Sequence, residues 1–413
     1  MQRQDTPGTP AAPVTPAYSG GRLALLGALA LLMLLPVTLP VTVLRALVHE
    51  RFAVSELLTS LFMSINMVGA VLAAAPAGAL ADRFGRRRDW IVAALVADAA
   101  CLFALTLPIS FPVFLAVRFL EGCAHIVALS LLLSLAAAAG SEERRGRVMG
   151  LVGAGITLGV AIGAPLGGVI GRSDPLLPLQ AGGAVVAAAA VLARFGLIEV
   201  AAGEARPSLA TILRTLHANP LLGAPLAYSF VDRFTVGFFT TTFSLYLSRV
   251  HALPAPRIGL LIAIFMLPFA LLSYPFGRLA ERHSRVAMVV GGSFVYGIGT
   301  LTLGFWPVPA LAWLMGFLGI ASAVMFVPSL VLATDAAPRE IRGSVLGAFN
   351  AAGSLGFIAG PLAGGFVSQS VAQRSTWEAG YQAAFAVAGL SEILCVLATL
   401  PFLIRLIRLG RTR

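Results

Sequence analysis

Long apolar runs recur along nearly the whole chain, and nothing else in it constrains the fold as tightly. Twelve segments, about 23–48, 55–77, 89–107, 111–137, 148–171, 178–200, 219–248, 257–276, 286–306, 309–334, 344–369 and 379–404, have the length and character of bilayer spans, for which a helix needs roughly 20 mostly apolar residues. In hydrocarbon each backbone N–H and C=O must be satisfied within the segment, so such runs are helices and strands are not expected. Composition agrees: 58% of the 413 residues are hydrophobic and 11% are charged, against about a quarter charged in ordinary globular proteins. The expected fold class is an all-α membrane protein with twelve transmembrane helices.

Residues 1–22, rich in Pro, Thr, Ala and Gly, cannot bury a core and read as a disordered tail. Segment 23–48 is too long for a cleaved signal peptide and contains Pro36 and Pro40, so it is a true first helix. The chain has no lysine, and its arginines carry the topological signal alone. They crowd one set of alternate loops, with Arg83, Arg86, Arg87, Arg88, Arg144, Arg145, Arg147, Arg278, Arg282 and Arg285 among them, whereas the opposite set holds Arg45, Arg51, Arg172, Arg249, Arg257 and Arg374. Basic loops stay in the cytoplasm, so both termini are expected there, in a bacterial-type inner membrane. The net charge of +11 is spread over many loops, which excludes a nucleic-acid partner and favours acidic lipid headgroups. Cys101, Cys123 and Cys395 lie in apolar spans and the five histidines lack ligand spacing, so no disulfide, metal or cofactor is expected.

The chain also repeats itself. SEERRGRVMGLVGAGITLGVAIGAPLGG from Ser141 aligns without gaps on PREIRGSVLGAFNAAGSLGFIAGPLAGG from Pro338, pairing Gly159 with Gly356, Gly163 with Gly360 and Gly168 with Gly365. GALADRFGRR from Gly78 matches GRLAERHSRV from Gly277 at nearly the same spacing. Two pseudo-symmetric six-helix bundles are therefore expected, at 23–200 and 219–405. A cytoplasmic linker, 201–218, joins them and a basic tail, 406–413, follows.

These stretches resemble the major facilitator superfamily. Gly78-Ala79-Leu80-Ala81-Asp82-Arg83-Phe84-Gly85-Arg86-Arg87 is similar to its signature loop between the second and third helices, with a degenerate second copy containing Glu281, Arg282 and Ser284. Arg118-Phe119-Leu120-Glu121-Gly122 is similar to its fourth-helix motif, with Glu121 where Gln is common. Gly159 to Gly168 resembles the motif of its drug and metabolite antiporters, with Ala164 intruding in the usual Gly-Pro pair. The resemblance implies a carrier working by alternating access. It assigns Gly78, Asp82, Arg83, Gly85, Arg86, Glu281 and Arg282 to a conformational latch, and it places the first, fourth, seventh and tenth helices around a central cavity.

The glycines are read in two ways. Gly155, Gly159 and Gly163 share one face of the fifth span, and Gly353, Gly356 and Gly360 share one of the eleventh. Small residues let backbones approach, and Pro165 and Pro361 bend their helices. With Gly168 and Gly364, these residues serve either packing alone or the contact between halves that closes one side of the cavity.

Charges inside spans are costly and are functional candidates by default: Asp98, Arg118, Glu121, Asp232, Arg233 and Glu392. By the resemblance, Arg118, Glu121, Asp232 and Arg233 border the cavity, while Asp98 and Glu392 sit on outer helices as structural tethers or neutral acids. On the seventh span Ser229, Arg233, Gly237, Thr240, Thr241 and Ser244 form a polar stripe with Phe239 and Phe243 beside it, a surface suited to a partly apolar solute. A carboxyl beside a movable arginine can take up and release a proton. Glu121 with Arg118 and Asp232 with Arg233 are both candidates for that role, the alternative being closed pairs that only fix packing. The expected function is secondary transport by a monomer, with protons and a small molecule as partners. The direction expected is proton-coupled export of amphiphiles. Uptake of a small anion that binds Arg118 and Arg233, and a non-transporting membrane scaffold or sensor, stand as alternatives. No nucleophile–base arrangement points to an enzyme.

Overall fold

A computed structural model of the protein describes residues 20–84, 86–139, 142–199, 214, 220–337 and 341–408. Twelve helical paths run through it: α1 (Gly20–Thr38), α2 (Glu56–Phe84), α3 (Arg87–Ala104), α4 (Phe111–Ala139), α5 (Glu142–Ile170), α6 (Leu177–Gly196), α7 (Gly223–Phe238), α8 (Ala255–Leu279), α9 (Arg285–Thr302), α10 (Val308–Asp335), α11 (Arg342–Ala372) and α12 (Trp377–Arg408). Among the described residues ten helices are long and apolar enough to cross a membrane. The two that fall short do so for visible reasons. Arg87, Arg88, Asp89 and Asp98 dilute α3, and α7 passes into a π-helical segment, Phe239–Phe243, before resuming as Ser244–Arg249.

The first helix of each half departs from α geometry at a matching place. α1 tightens to a 3-10 turn at Leu39–Val43 and then widens to a π segment at Arg45–Glu50, where Pro40 has no N–H to give the ladder. Each of these helices leads into a short connection with an alanine in the left-handed region, Ala53 (φ 51°) and Ala252 (φ 49°). An L side chain enters that region only under constraint, and the two alanines stand in equivalent turns of the repeat. The repeat thus preserves backbone irregularity as well as sequence.

Glycines set the helix spacing, and they sort the two readings of the ladders. A Cβ at Gly155, Gly159 or Gly167 would collide with the α1 path, at the backbone of Gly27, Leu31 or Leu39. At Gly163 it would collide with Thr38 and Leu35. At Gly356 and Gly360 it would collide with α7, at the backbone of Phe230 and Phe234, and at Gly364 with Thr242 and Phe238. Pro361 packs on Gly237, again within the second half. The ladders therefore join helices inside a half, and contact between halves falls to neighbouring residues. Gly168 meets Ala255 and Pro256 at the start of α8, Pro165 meets Gly259, and Gly365 meets Ser60 and Glu56 of α2.

Gly78, Asp82 and Arg83 end α2, but the signature-loop side chains from Gly78 to Arg83 and all of Gly85 lie outside the described residues. So do 1–19, most of the 201–218 linker, and 409–413. Arg86 pairs with Asp89 at 2.6 Å, while Glu199 accepts from the backbone N–H groups of Arg87 and Arg88 and so caps α3. In the second copy Glu281 and Arg282 are exposed, Ser284 caps α9 through the N–H of Ala287, and the ion pair is Arg285 with Asp335.

Candidate functional site

In the first half the chemistry is built on one face of α4. Arg118, Glu121 and His125 recur at steps of three and four, which stacks them along one stripe. Gly122 and Gly69 let α4 and α2 touch backbone to backbone; a Cβ on Gly122 would strike the Asn66 carbonyl. That closeness delivers Asn66, whose Nδ2 donates to Glu121 Oε2. Arg118 Nη1 donates to the same oxygen at 2.8 Å, and its guanidinium lies over the Phe62 ring, 4.6 Å from the centroid. One turn on, His125 Nδ1 stands 3.2 Å from Asp98 Oδ2 of α3. Arg118, Glu121 and Asp98 are all buried, so two acid–base pairs sit in series in a region of low dielectric.

The second half is arranged differently, and it separates the two charges of α7. Adjacent helical residues point about 100° apart. Arg233 turns to Ser229, donating to Oγ at 2.9 Å, while Ser229 donates to the Phe349 carbonyl at 2.6 Å. Its guanidinium lies over the rings of Phe326 and Phe349. Asp232 is buried, and neither of its carboxyl oxygens has a hydrogen-bond partner. Arg233 and Thr240 are partly accessible, whereas Thr241 and Ser244 are buried. Ser244 reaches across to α1's 3-10 turn and donates to the Val41 carbonyl at 2.5 Å. Phe239 and Phe243 do not flank an open stripe in this conformation. Phe239 stacks on Phe265 at 4.8 Å and Phe243 meets Phe385 edge-on, both inside the packing of the second half. The stripe narrows to Arg233 and Thr240.

Cysteines substituted for Arg233 and Thr240 should therefore react with a membrane-impermeant thiol reagent in protein lacking its native cysteines, while those at Thr241 and Ser244 stay protected. Equal labelling at all four positions would show that this face is not divided as described.

The halves are tied at the end that carries the α1–α2, α7–α8 and α11–α12 connections. Glu56, the first residue of α2, is 1% exposed and accepts from Tyr381 Oη of α12. Arg249 approaches the other Glu56 oxygen at 3.5 Å, stands 2.7 Å from His49 Nε2, and covers the Trp377 ring at 3.9 Å. Around this cluster Arg45 donates to the Ser248 carbonyl, the Leu57 N–H to Gln369, and Ser64 to the Ile358 carbonyl. An open groove of about 570 Å³ between α9 and α10, lined by Val295, Ile298, Trp306, Trp313 and Phe317, lies apart from all of this and carries no charge.

Sequence reasoning found Arg118, Glu121, Asp232 and Arg233 but not Asn66, His125, Glu56 or Tyr381. His125 carried a usable signal, being four residues beyond Glu121 on the same face. Glu56 sits at the edge of a span and gains meaning only from Arg249, which is remote in sequence.

The chain matches the Major Facilitator Superfamily over residues 23–228 and again over 225–410. It belongs to that superfamily. The double match coincides with the internal repeat. Among relatives, magnetosome protein MamH of Paramagnetospirillum magneticum is 30% identical over 315 residues, 70% of this chain and 72% of that protein. The chloramphenicol resistance protein of Streptomyces lividans is 27% identical over 327 residues, 74% of this chain and 77% of that protein. The same fold is seen in a bacterial homologue of the human lysosomal transporter Spinster in an inward-facing, unoccupied conformation (TM-score 0.80, 16% identity, 94% of this chain and 98% of that one). It is seen too in the nucleoside transporter NupG (TM-score 0.74, 16% identity, 92% and 99%). This member of the superfamily is a multi-pass membrane transporter rather than an enzyme.

Proposed function

We propose that the protein exports small amphiphilic molecules in exchange for protons, with Glu121 as a proton-carrying acid of the first half. The observation that carries the reading is the buried Arg118–Glu121–Asn66 cluster on α4. A carboxyl held by one arginine and one amide can exist charged against the guanidinium or neutral without it, so movement of Arg118 changes its affinity for a proton. A relative named as a multi-drug resistance efflux pump supports the export direction, and relatives named for chloramphenicol and multidrug resistance accord with it. With both termini in the cytoplasm, as the arginine distribution indicates, the tied end is the outer one, an arrangement suited to collecting solute from the cytoplasm.

A second reading rests on Arg233. It is partly accessible and its guanidinium is engaged by a hydroxyl and two rings, so it could bind an anionic solute directly.

Purified protein in liposomes, tested against amphiphilic cations, neutral amphiphiles and anionic metabolites with and without a pH gradient, separates the two. Export predicts gradient-driven flux of an amphiphile that Glu121→Gln abolishes while substrate-for-substrate exchange persists, because exchange moves no net proton. Flux of an anion that ignores the gradient and disappears in Arg233→Ala would replace the first reading with the second.

A further inference from the structure

The second half contains a cluster that neither reading uses. α9 and α12 cross in close contact at Gly297 and Gly389; a Cβ on Gly297 would lie 2.9 Å from the Gly389 carbonyl oxygen and 3.0 Å from Glu392 Cβ. The crossing turns Glu392, 0% exposed, into the interior toward α7. There its Oε1 accepts from Thr235 Oγ1 at 3.2 Å, and the same hydroxyl donates to the Asp232 carbonyl at 2.8 Å. Thr235 thus bridges the two acidic residues, whose carboxyl groups lie within electrostatic reach of one another.

What makes this more than a pair of acids is the set of buried polar atoms left over. Asp232 Oδ1 and Oδ2 and Glu392 Oε2 have no hydrogen-bond partner. Tyr296 of α9, 0% exposed, holds its hydroxyl beside Thr235 and Thr300 without a well-directed bond to either, and feels the charge of both acids. Buried polar atoms normally find partners, and here the unpaired ones are acceptors gathered around two acids, for which a proton is the simplest donor. Among the described residues no cation donates a hydrogen bond to either carboxyl, although Arg233 acts on Asp232 through space. Arg233, the nearest, is turned to Ser229 and the aromatic rings. The remaining titratable groups around the pair are Tyr228 on α7 and Cys395 on α12. Ser293 of α9 stands beside Glu392 and donates to the Met325 sulfur of α10 at 3.3 Å, and α11 presents glycines to α7.

We propose that Asp232 and Glu392 form a proton-binding site of the second half, holding a proton between two carboxyl groups packed among α7, α9 and α12. Two carboxyls buried on facing helices and linked through one threonine repel when both are charged, so taking up one proton removes that repulsion and supplies a donor for the unpaired oxygens. Glu392 is then a functional acid rather than a tether, and Asp232 shares its proton with Glu392 while Arg233 remains the charge nearest to it. The site deepens the proton-coupled reading by giving the second half an acid of its own, but it is defined by proton binding and can be tested without flux.

The test is a pH titration of the protonated-carboxyl infrared band on purified protein in a Glu121→Gln background, which removes the α4 acid. Asp232→Asn and Glu392→Gln should each delete one titrating carboxyl and move the midpoint of the survivor down by about one pH unit or more, since interacting acids titrate as a pair. Asp232→Glu should restore the paired titration. Should either variant fail to fold, the background protein supplies a second measurement. An apolar carbodiimide, which reacts with protonated carboxyls, should label Asp232 or Glu392, and labelling should fall as pH rises. Survivor midpoints that stay in place, or two acids already ionised along with the exposed carboxylates and unlabelled, would overturn the site. If the pair titrates together while the pH gradient drives no flux, the site stands and the coupling reading fails.

Discussion

Glu56→Gln and Arg249→Gln should each shift the transporter toward the conformation in which the halves part at the α1–α2 end. Glu56 belongs to the first half, while Arg249, Tyr381 and Trp377 belong to the second, so their contacts exist only while this end is shut. Breaking a buried charged pair by removing one partner costs about 3–5 kcal/mol in the state that contains it. Arg249 keeps some solvent contact, so a cost near 2 kcal/mol is the better figure here, a shift of roughly thirtyfold in the conformational ratio. Spin labels on cysteines at Ser110 and Ser375, exposed in the α3–α4 and α11–α12 connections of this same end, would report it as growth of a longer distance at the expense of the short one. Tyr381→Phe, which removes one hydrogen bond and no charge, should do the same by less. A distance distribution unchanged in both charge variants would mean that the cluster is packing without control over the conformation.

How much of this arrangement was legible beforehand follows from the range of the interactions concerned. Helix number and the two-fold repeat depend on apolar runs and local glycine spacing, and the sequence displays those directly. The Arg118–Glu121 pair was readable because its members are three residues apart on one helix. Asp232 and Arg233 misled for the same reason: being neighbours in sequence suggested a closed pair, but helical geometry sends consecutive side chains in different directions, so Arg233 donates to Ser229 one turn back and lies over Phe326 and Phe349, while the Asp232 carboxyl makes no hydrogen bond. Glu56 with Arg249 and Asp232 with Glu392 are pairings between remote helices, and no periodicity encodes them. Of the backbone irregularities, Pro40 gave a signal for the one at Leu39–Glu50, whereas the one at Phe239–Phe243 was hidden, since its residues are only phenylalanine and threonine. Phe239 and Phe243 looked like a cavity flank because they share a face, yet periodicity reports which residues lie together and says nothing of what they face.

The glycine ladders give the sharpest test of where one half ends and the other begins, because adjacent glycines are expected to behave oppositely. Gly167 packs on the Leu39 backbone of α1 within its own half, and Gly168 packs on the Ala255 carbonyl of the other half. Gly167→Val forces a branched side chain against backbone that cannot yield without unseating α1. Overpacking of this kind costs about 1–3 kcal/mol or more, so the variant should express poorly and melt at a lower temperature in any conformation. Gly168→Val meets an obstacle only when the halves are together at the α1–α2 end. It should fold normally, but the Ser110–Ser375 spin-label pair should show the longer distance as the major population, and flux should fall at least tenfold because the cycle cannot close that end. The repeat extends the argument: Gly365, the counterpart of Gly168, touches Ser60 and Glu56 across the same boundary, and Gly360 touches the Phe234 backbone inside its half. Gly365→Val should therefore match Gly168→Val, and Gly360→Val should match Gly167→Val. Loss of folding in all four variants would show that the boundary contacts are as permanent as the ladders, and a rigid boundary is incompatible with halves that rock apart.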